Sequence, residues 1–257
     1  AIVSISDKIE TLISIFISGK RPSGSSDPYA LRRNLNGVIL IIYQFELNLS
    51  IDNIFNELLD YWKTSLPNLK FVKEEVFNDL IEFTNQRIVS HLDEISISKD
   101  LIKAILVGDS STKSSVLNIL DLKNRINTIK QLKKKGNFLE IQKVIARVSK
   151  LADNGNLKRN IFSAKDYINQ DLFEKHCETK VFQFIKQLEE IVSLPNWDYF
   201  QIFHLFENNS NNLNELFDND KGVLIMSEDP EIRNNRLNLL GLIRNYSLKI
   251  ADFTKFN

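Results

Sequence analysis

"DPYALRRNLNGVILIIYQFELNLS", residues 27–50, decides the fold class. Leu31, Leu35, Val38, Ile42, Phe45 and Leu49 recur every three or four positions, the spacing of one helical face. Asp27 is a good N-cap, and Pro28 suits a first helical position because it has no amide hydrogen to leave unpaired. At about 100° per residue, Arg32 falls on the flank of the apolar stripe and Arg33 points almost away from it. Both arginines can reach solvent or a partner while the helix packs. The preceding "PSGSSD" is glycine- and serine-rich, but it lacks the lysine and spacing of a phosphate-cradling loop.

The same period runs outward in both directions. "AIVSISDKIETLISIFISGKR", residues 1–21, has no basic leader, and Asp7, Lys8 and Glu10 interrupt its apolar run. It reads as a buried helix ending near Ile17, in a chain that begins inside a larger protein. Ser50 is the next candidate N-cap, and Pro67 closes the helix after it. "VKEEVFNDLIEFTNQRIVSHL" and the segments around residues 99–152, 171–193, 197–219 and 229–253 continue the helical pattern. Two short stretches break it. "GVLIM", 222–226, reads as a helix end or buried turn, and "ENNSNNLNE", 207–215, as an asparagine-rich loop. With eight glycines, five prolines and no set of alternating strands, the expectation is an all-α, multi-helix bundle. No apolar run is long enough to span a membrane.

Composition excludes several chemistries. Cys177 is the one cysteine, so no intrachain disulfide or zinc–thiolate cluster is possible, which fits a reducing compartment. His91, His176 and His204 have no partners at metal-ligand spacing. The carboxylate pairs Glu74/Glu75 and Glu189/Glu190, and the acids of "SEDPE", read as solvated helix faces or first-turn charges. No catalytic residue and no metal ligand is therefore assigned. Net charge is zero, yet residues 121–160 carry eleven basic and three acidic side chains, net +8, between acidic flanks. Lys133, Lys134 and Lys135 are consecutive, and Lys143, Arg147 and Lys150 share one helical stripe. Such a segment is either a solvated face or a track for nucleic-acid phosphates.

Two stretches carry a family resemblance: "SDKIETLISIFISGKRPSGSSDPYALRRNLNGVILII", residues 6–42, and "LFDNDKGVLIMSEDPEIRNNRLNLLGLIRNYSLKIADFTKF", residues 216–256. "FLEIQKVIARVSKL", 138–151, lies between them. Together, and in this order, they resemble the C-terminal part of the β subunit of bacterial-type glycyl-tRNA synthetase. The resemblance implies a helical region, residues 1–60, that ends an HD-type domain. Residues 61–155 follow as a helical linker or the first part of the anticodon-binding region, and then the anticodon-binding domain itself, 156–257, similar to that of arginyl-tRNA synthetase. It further implies a cytoplasmic protein that positions glycine tRNA and pairs with an α subunit and the rest of β. ATP, magnesium and the aminoacylation site would reside on that α subunit. Asp7 matches an HD-domain aspartate, but the histidines of such a site lie outside this sequence. Candidate tRNA contacts are Arg32, Arg33, Lys133, Lys134, Lys135, Lys143, Arg147, Arg233 and Arg236. Arg233 and Arg236 could instead pair with Glu228, Asp229 or Glu231. Trp197, Tyr199, Phe200, Phe203 and Phe206 are candidate stacking rings. Gly222 stands where the family pattern has a larger residue, and is expected to loosen that junction. The alternative from another class is a scaffold that docks the α subunit without touching tRNA.

Overall fold

The structure, a computed structural model, describes residues 1–22, 27–106 and 117–256. Among them the fold is all-α, with no strand beyond an isolated bridge between Ser50 and Asn118. The helices are α1 (Ile2–Ile17), α2 (Leu31–Phe45), α3 (Ile51–Ser65), α4 (Lys73–Glu94) and α5 (Lys99–Leu106). There follow α6 (Ile119–Leu132), α7 (Phe138–Ala152), α8 (His176–Ser193), α9 (Tyr199–Glu215) and α10 (Pro230–Leu248). The chain divides into two compact units, Ala1–Ile102 with Lys113–Asn124, and Lys103–Thr112 with Arg125–Asn257. The expected boundaries near residues 60 and 155 named domains by resemblance; the compact units part elsewhere.

In the first unit α1 packs on α2 and α4, and α3 packs on α4. The α2 stripe delivers Leu31, Leu35, Val38 and Ile42 to the core, whereas Phe45, on the same spacing, is exposed at the helix end and Leu49 lies beyond the helix. Helix α1 ends at Ile17, and Gly19, at φ +79°, turns the chain. Its amide reaches Phe16 O while that of Lys20 reaches Ile15 O, which satisfies carbonyls the helix leaves open.

The start of α2 corrects a local expectation. Pro28 is not in the helix. Residues 27–30 form a turn, Ala30 sits at φ 55° as the N-cap, and helix begins at Leu31. Asp27 still caps, but from a turn away: its carboxylate accepts the amides of Leu31 (2.7 Å) and Arg32 (3.1 Å). The second Asp-Pro pair behaves as its pattern suggests. Asp229 caps α10 through the amides of Glu231 and Ile232, with Pro230 in the first turn. Ser50 occupies the N-cap of α3, but its hydroxyl bonds Asp52 instead of a helix amide. The asparagine-rich 207–215 is helical, not a loop. Leu213 and Leu216 extend the buried stripe of α9, and Asn209 bonds the carbonyl of Leu205 one turn back.

The second unit is organised by α10, buried from Asn235 to Ser247. A helix enclosed on every side must satisfy its own polar side chains, and here they hold an irregular segment, residues 153–169. Arg244 donates to Leu157 O (2.7 Å) and Asp153 (3.0 Å). Asn245 donates to Lys158 O (2.8 Å) and Ile161 O (2.7 Å), and Tyr246 to Phe162 O. Asn238 reaches Tyr167 O, and Asn235 exchanges a reciprocal pair with the backbone of Asn169. Burial pushes the Tyr246 phenol pKa well up, so it acts as a neutral donor. Gly241 gives the segment room: a Cβ there would lie 2.9 Å from Leu157.

Asn245→Ala leaves two inward carbonyls without a donor. The expected cost is about 2–4 kcal/mol in a urea unfolding experiment. Asn234→Ala, on the exposed side of the same helix, is expected to stay within about 0.5 kcal/mol.

Candidate nucleic-acid interface

The basic residues of the second unit gather on α6, α7 and the turn between them. Lys133, Lys134 and Lys135 follow the last residue of α6, with their amides bonded to Ile129 O, Gln131 O and Leu132 O. All three side chains are exposed. Positive charge is favoured at that helix end, where carbonyls point outward. One turn later α7 begins. Its inner face buries Ile141, Val144, Ile145 and Val148, which forces Lys143, Arg147 and Lys150 outward on the opposite stripe. The six cations thus share a continuous stretch of chain whose packing requires them to face solvent.

Further interactions fix this surface. The Lys133 ammonium lies 4.7 Å from the centre of the Phe256 ring. The Arg147 guanidinium lies 4.3 Å from that of Phe217. Asn137, in the turn, donates to Glu207 on α9, and His204 bonds the other carboxylate oxygen of Glu207 at 3.0 Å. These hydrogen bonds, His204 first and Asn137 second, hold the Glu207 carboxyl below its ordinary pKa of 4.5.

The other sequence candidates have different surroundings. Arg32 and Arg33 belong to the first unit. Arg33 is exposed and Arg32 half-buried. Arg233 is half-buried and donates to Ser227 O at 3.0 Å. Arg236 corrects the sequence reading outright. It is 2% exposed, bonding Glu178 at 2.9 Å and Glu174 at 2.6 Å, with a further bond to Leu224 O. Burial alone would lower its pKa, and the two carboxylates more than offset that. An interior arginine so engaged does not reach RNA, and its partners are not the neighbouring acids that the sequence suggested. Phe203 and Phe206 are likewise core residues, whereas Trp197, Tyr199 and Phe200 are half-buried. Phe217, absent from the sequence candidates, is the ring that meets a basic side chain of the stripe.

Gly222 is not a loose point. A Cβ there would stand 2.5 Å from the carbonyl oxygens of Asp218 and Leu216, so the turn closes too tightly for any side chain. Cys177 is buried, and burial, reinforced by the Glu178 charge, raises its thiol pKa, which makes it a poor nucleophile. Among the described residues no group of three or more His, Cys, Asp or Glu could hold a metal ion. No described helix is long and apolar enough to cross a membrane.

An all-α chain with a basic outward stripe presents the kind of surface on which nucleic-acid contact is sought. Comparison with known proteins defines the class, aminoacyl-tRNA synthetase subunits. Residues 1–107 match the family model described as glycyl-tRNA synthetase beta subunit. Glycine–tRNA ligase beta subunits from Acaryochloris marina and Picosynechococcus are each 32% identical over 98% of this chain. That of Clostridioides difficile is 29% identical over 98%. The chain spans about a third of the length of these relatives, 35%, 35% and 34% respectively. It belongs to the glycyl-tRNA synthetase β subunit family and corresponds to the C-terminal part of its members.

The lowered Glu207 pKa carries a sign. A depressed folded-state value contributes stability above the unfolded value of 4.5, lost as pH falls through the folded one. Glu207→Gln is therefore expected to flatten the fall in stability below pH 4.5. Urea midpoints measured across that range check this.

Proposed function

We propose that this chain is the tRNA-holding part of a glycine–tRNA ligase and performs no bond-making chemistry itself. The observation that carries the reading is the outward basic stripe in a chain whose relatives are ligase β subunits. Lys133, Lys134, Lys135, Lys143, Arg147 and Lys150 would neutralise backbone phosphates, which supplies affinity without sequence information. The half-buried rings Trp197, Tyr199 and Phe200 would meet unpaired anticodon bases, the usual way in which single-stranded RNA is specified. Activation of glycine with ATP and magnesium would take place on an α subunit. The benefit to that reaction is positional: holding the tRNA body fixes where its acceptor end lies. Arg33 is a further candidate for tRNA binding, on the first unit.

The scaffold reading draws support from the first unit. Phe45 (64% exposed), Tyr61 (64%) and Val72 (57%) are large apolar side chains facing solvent, as a surface for docking protein would be. A protein-docking surface on the first unit does not by itself exclude tRNA holding by the second; only the reading without tRNA contact does.

Replacing Lys133, Lys134 and Lys135 together by Glu in the intact protein is expected to weaken glycine tRNA binding by about tenfold or more. The slope of log K against log salt should also become shallower, by about 0.9 for each phosphate that is no longer neutralised. Filter binding over a salt series measures both. Unchanged affinity and slope would remove the turn from the footprint and favour the scaffold.

A further inference from the structure

Arginines in the second unit are mostly engaged. Arg236 lies between Glu178 and Glu174, and Arg244 bonds Asp153 and two backbone carbonyls. Arg159 stands beside Asp153, Arg233 bonds Ser227 O, and Arg125 is buried near Ile105 O. Arg147 differs. It is exposed, no carboxylate pairs with it among the described residues, and its guanidinium lies over the Phe217 ring.

The ring is held by a rigid piece of chain. The amide of Phe217 bonds Asn214 O, and that of Val223 bonds Leu216 O. Asp218 accepts the amides of Asp220 and Lys221, both at 2.9 Å. Gly222 closes the turn with no space for a side chain, and Arg236 ties down Leu224 O from within. Phe217 therefore offers a fixed plane, and Arg147 covers it from α7.

We infer that Arg147, seated over Phe217, is a stacking shelf for one unpaired RNA base. The inference rests on the RNA-holding function proposed above and adds a residue-level subsite to it. A guanidinium is flat, delocalised and weakly hydrated, so one face can lie on an aromatic ring and the other can take a base. Lys143 and Lys150, four residues before and three after on the same stripe, flank it with charge for the adjoining phosphates. The ammonium of Lys249 over Phe162 (4.1 Å) and Trp197 (5.6 Å) is a contrasting case, because a tetrahedral charge provides no plane to extend the stack.

The test separates plane from charge. Arg147→Lys keeps the cation and removes the plane, Arg147→Ala removes both, and the probe is glycine tRNA bound to the intact protein. If the shelf is used, Arg147→Lys weakens binding about tenfold, within the range of one base stack, and leaves the salt slope unchanged. Thermal midpoints should not move with the affinity. Wild-type affinity in Arg147→Lys, with a reduced affinity and slope in Arg147→Ala, would make Arg147 a phosphate ligand and overturn the shelf while RNA holding stands. A parallel drop in thermal stability would assign the pair to loop packing and also overturn it. Unchanged binding both here and in the Lys133–Lys135 triple variant would overturn the RNA-holding function itself.

Discussion

The second unit depends on α10 being enclosed by protein and yet polar. A fully buried helix is ordinarily apolar all round. This one buries Asn235, Arg236, Asn238, Arg244, Asn245 and Ser247 in a continuous run with leucines. Most of these polar groups point at the backbone of residues 153–169, which has no helix of its own to absorb its carbonyls. Unpaired, those carbonyls would each cost a desolvation penalty. Paired, they fix the segment to one register, because an amide or guanidinium accepts only a narrow geometry. The ion pair of Arg236 with Glu178 extends the same logic to α8 and to the loop before α10.

That interior arrangement claims only the inner face of α7. Helix α7 packs on α10 and α9 through its apolar stripe, so its cations have nowhere to go but outward. The outward placement of charge on this surface thus follows from period and packing. What distinguishes it from an ordinary solvated face is its neighbours: the lysine turn at the end of α6, and an aromatic ring beneath one arginine.

Much of this was legible in the sequence. Helical period, with the glycine- and proline-bearing stretch after it, placed the end of α1 near Ile17; period assigned Leu31, Leu35, Val38 and Ile42 to the core, though it included Phe45, which is exposed. The basic stripe also followed from spacing. What failed was chemistry between distant residues. Arg236 invited pairing with acids a few positions away, but its partners stand 58 and 62 positions earlier. Arg147 and Phe217 are 70 apart, and nothing local to either announces the other. Asp27–Pro28 and Asp229–Pro230 are the same dipeptide, yet only the second opens a helix directly, because Ala30 takes a left-handed conformation after the first. The asparagines of 207–214 looked like a loop by composition. The leucines that anchor the helix lie at the end of that stretch and just past it.

The clamp on residues 153–169 has a consequence in time. Its bonds join residues 66 to 91 positions apart in the chain. A growing polypeptide exposes the segment long before the helix that holds it has been made. Until Arg244 and Asn245 emerge, its carbonyls can be satisfied only by water. The second unit therefore cannot acquire its final order progressively from its amino end; its closure waits for the translation of α10.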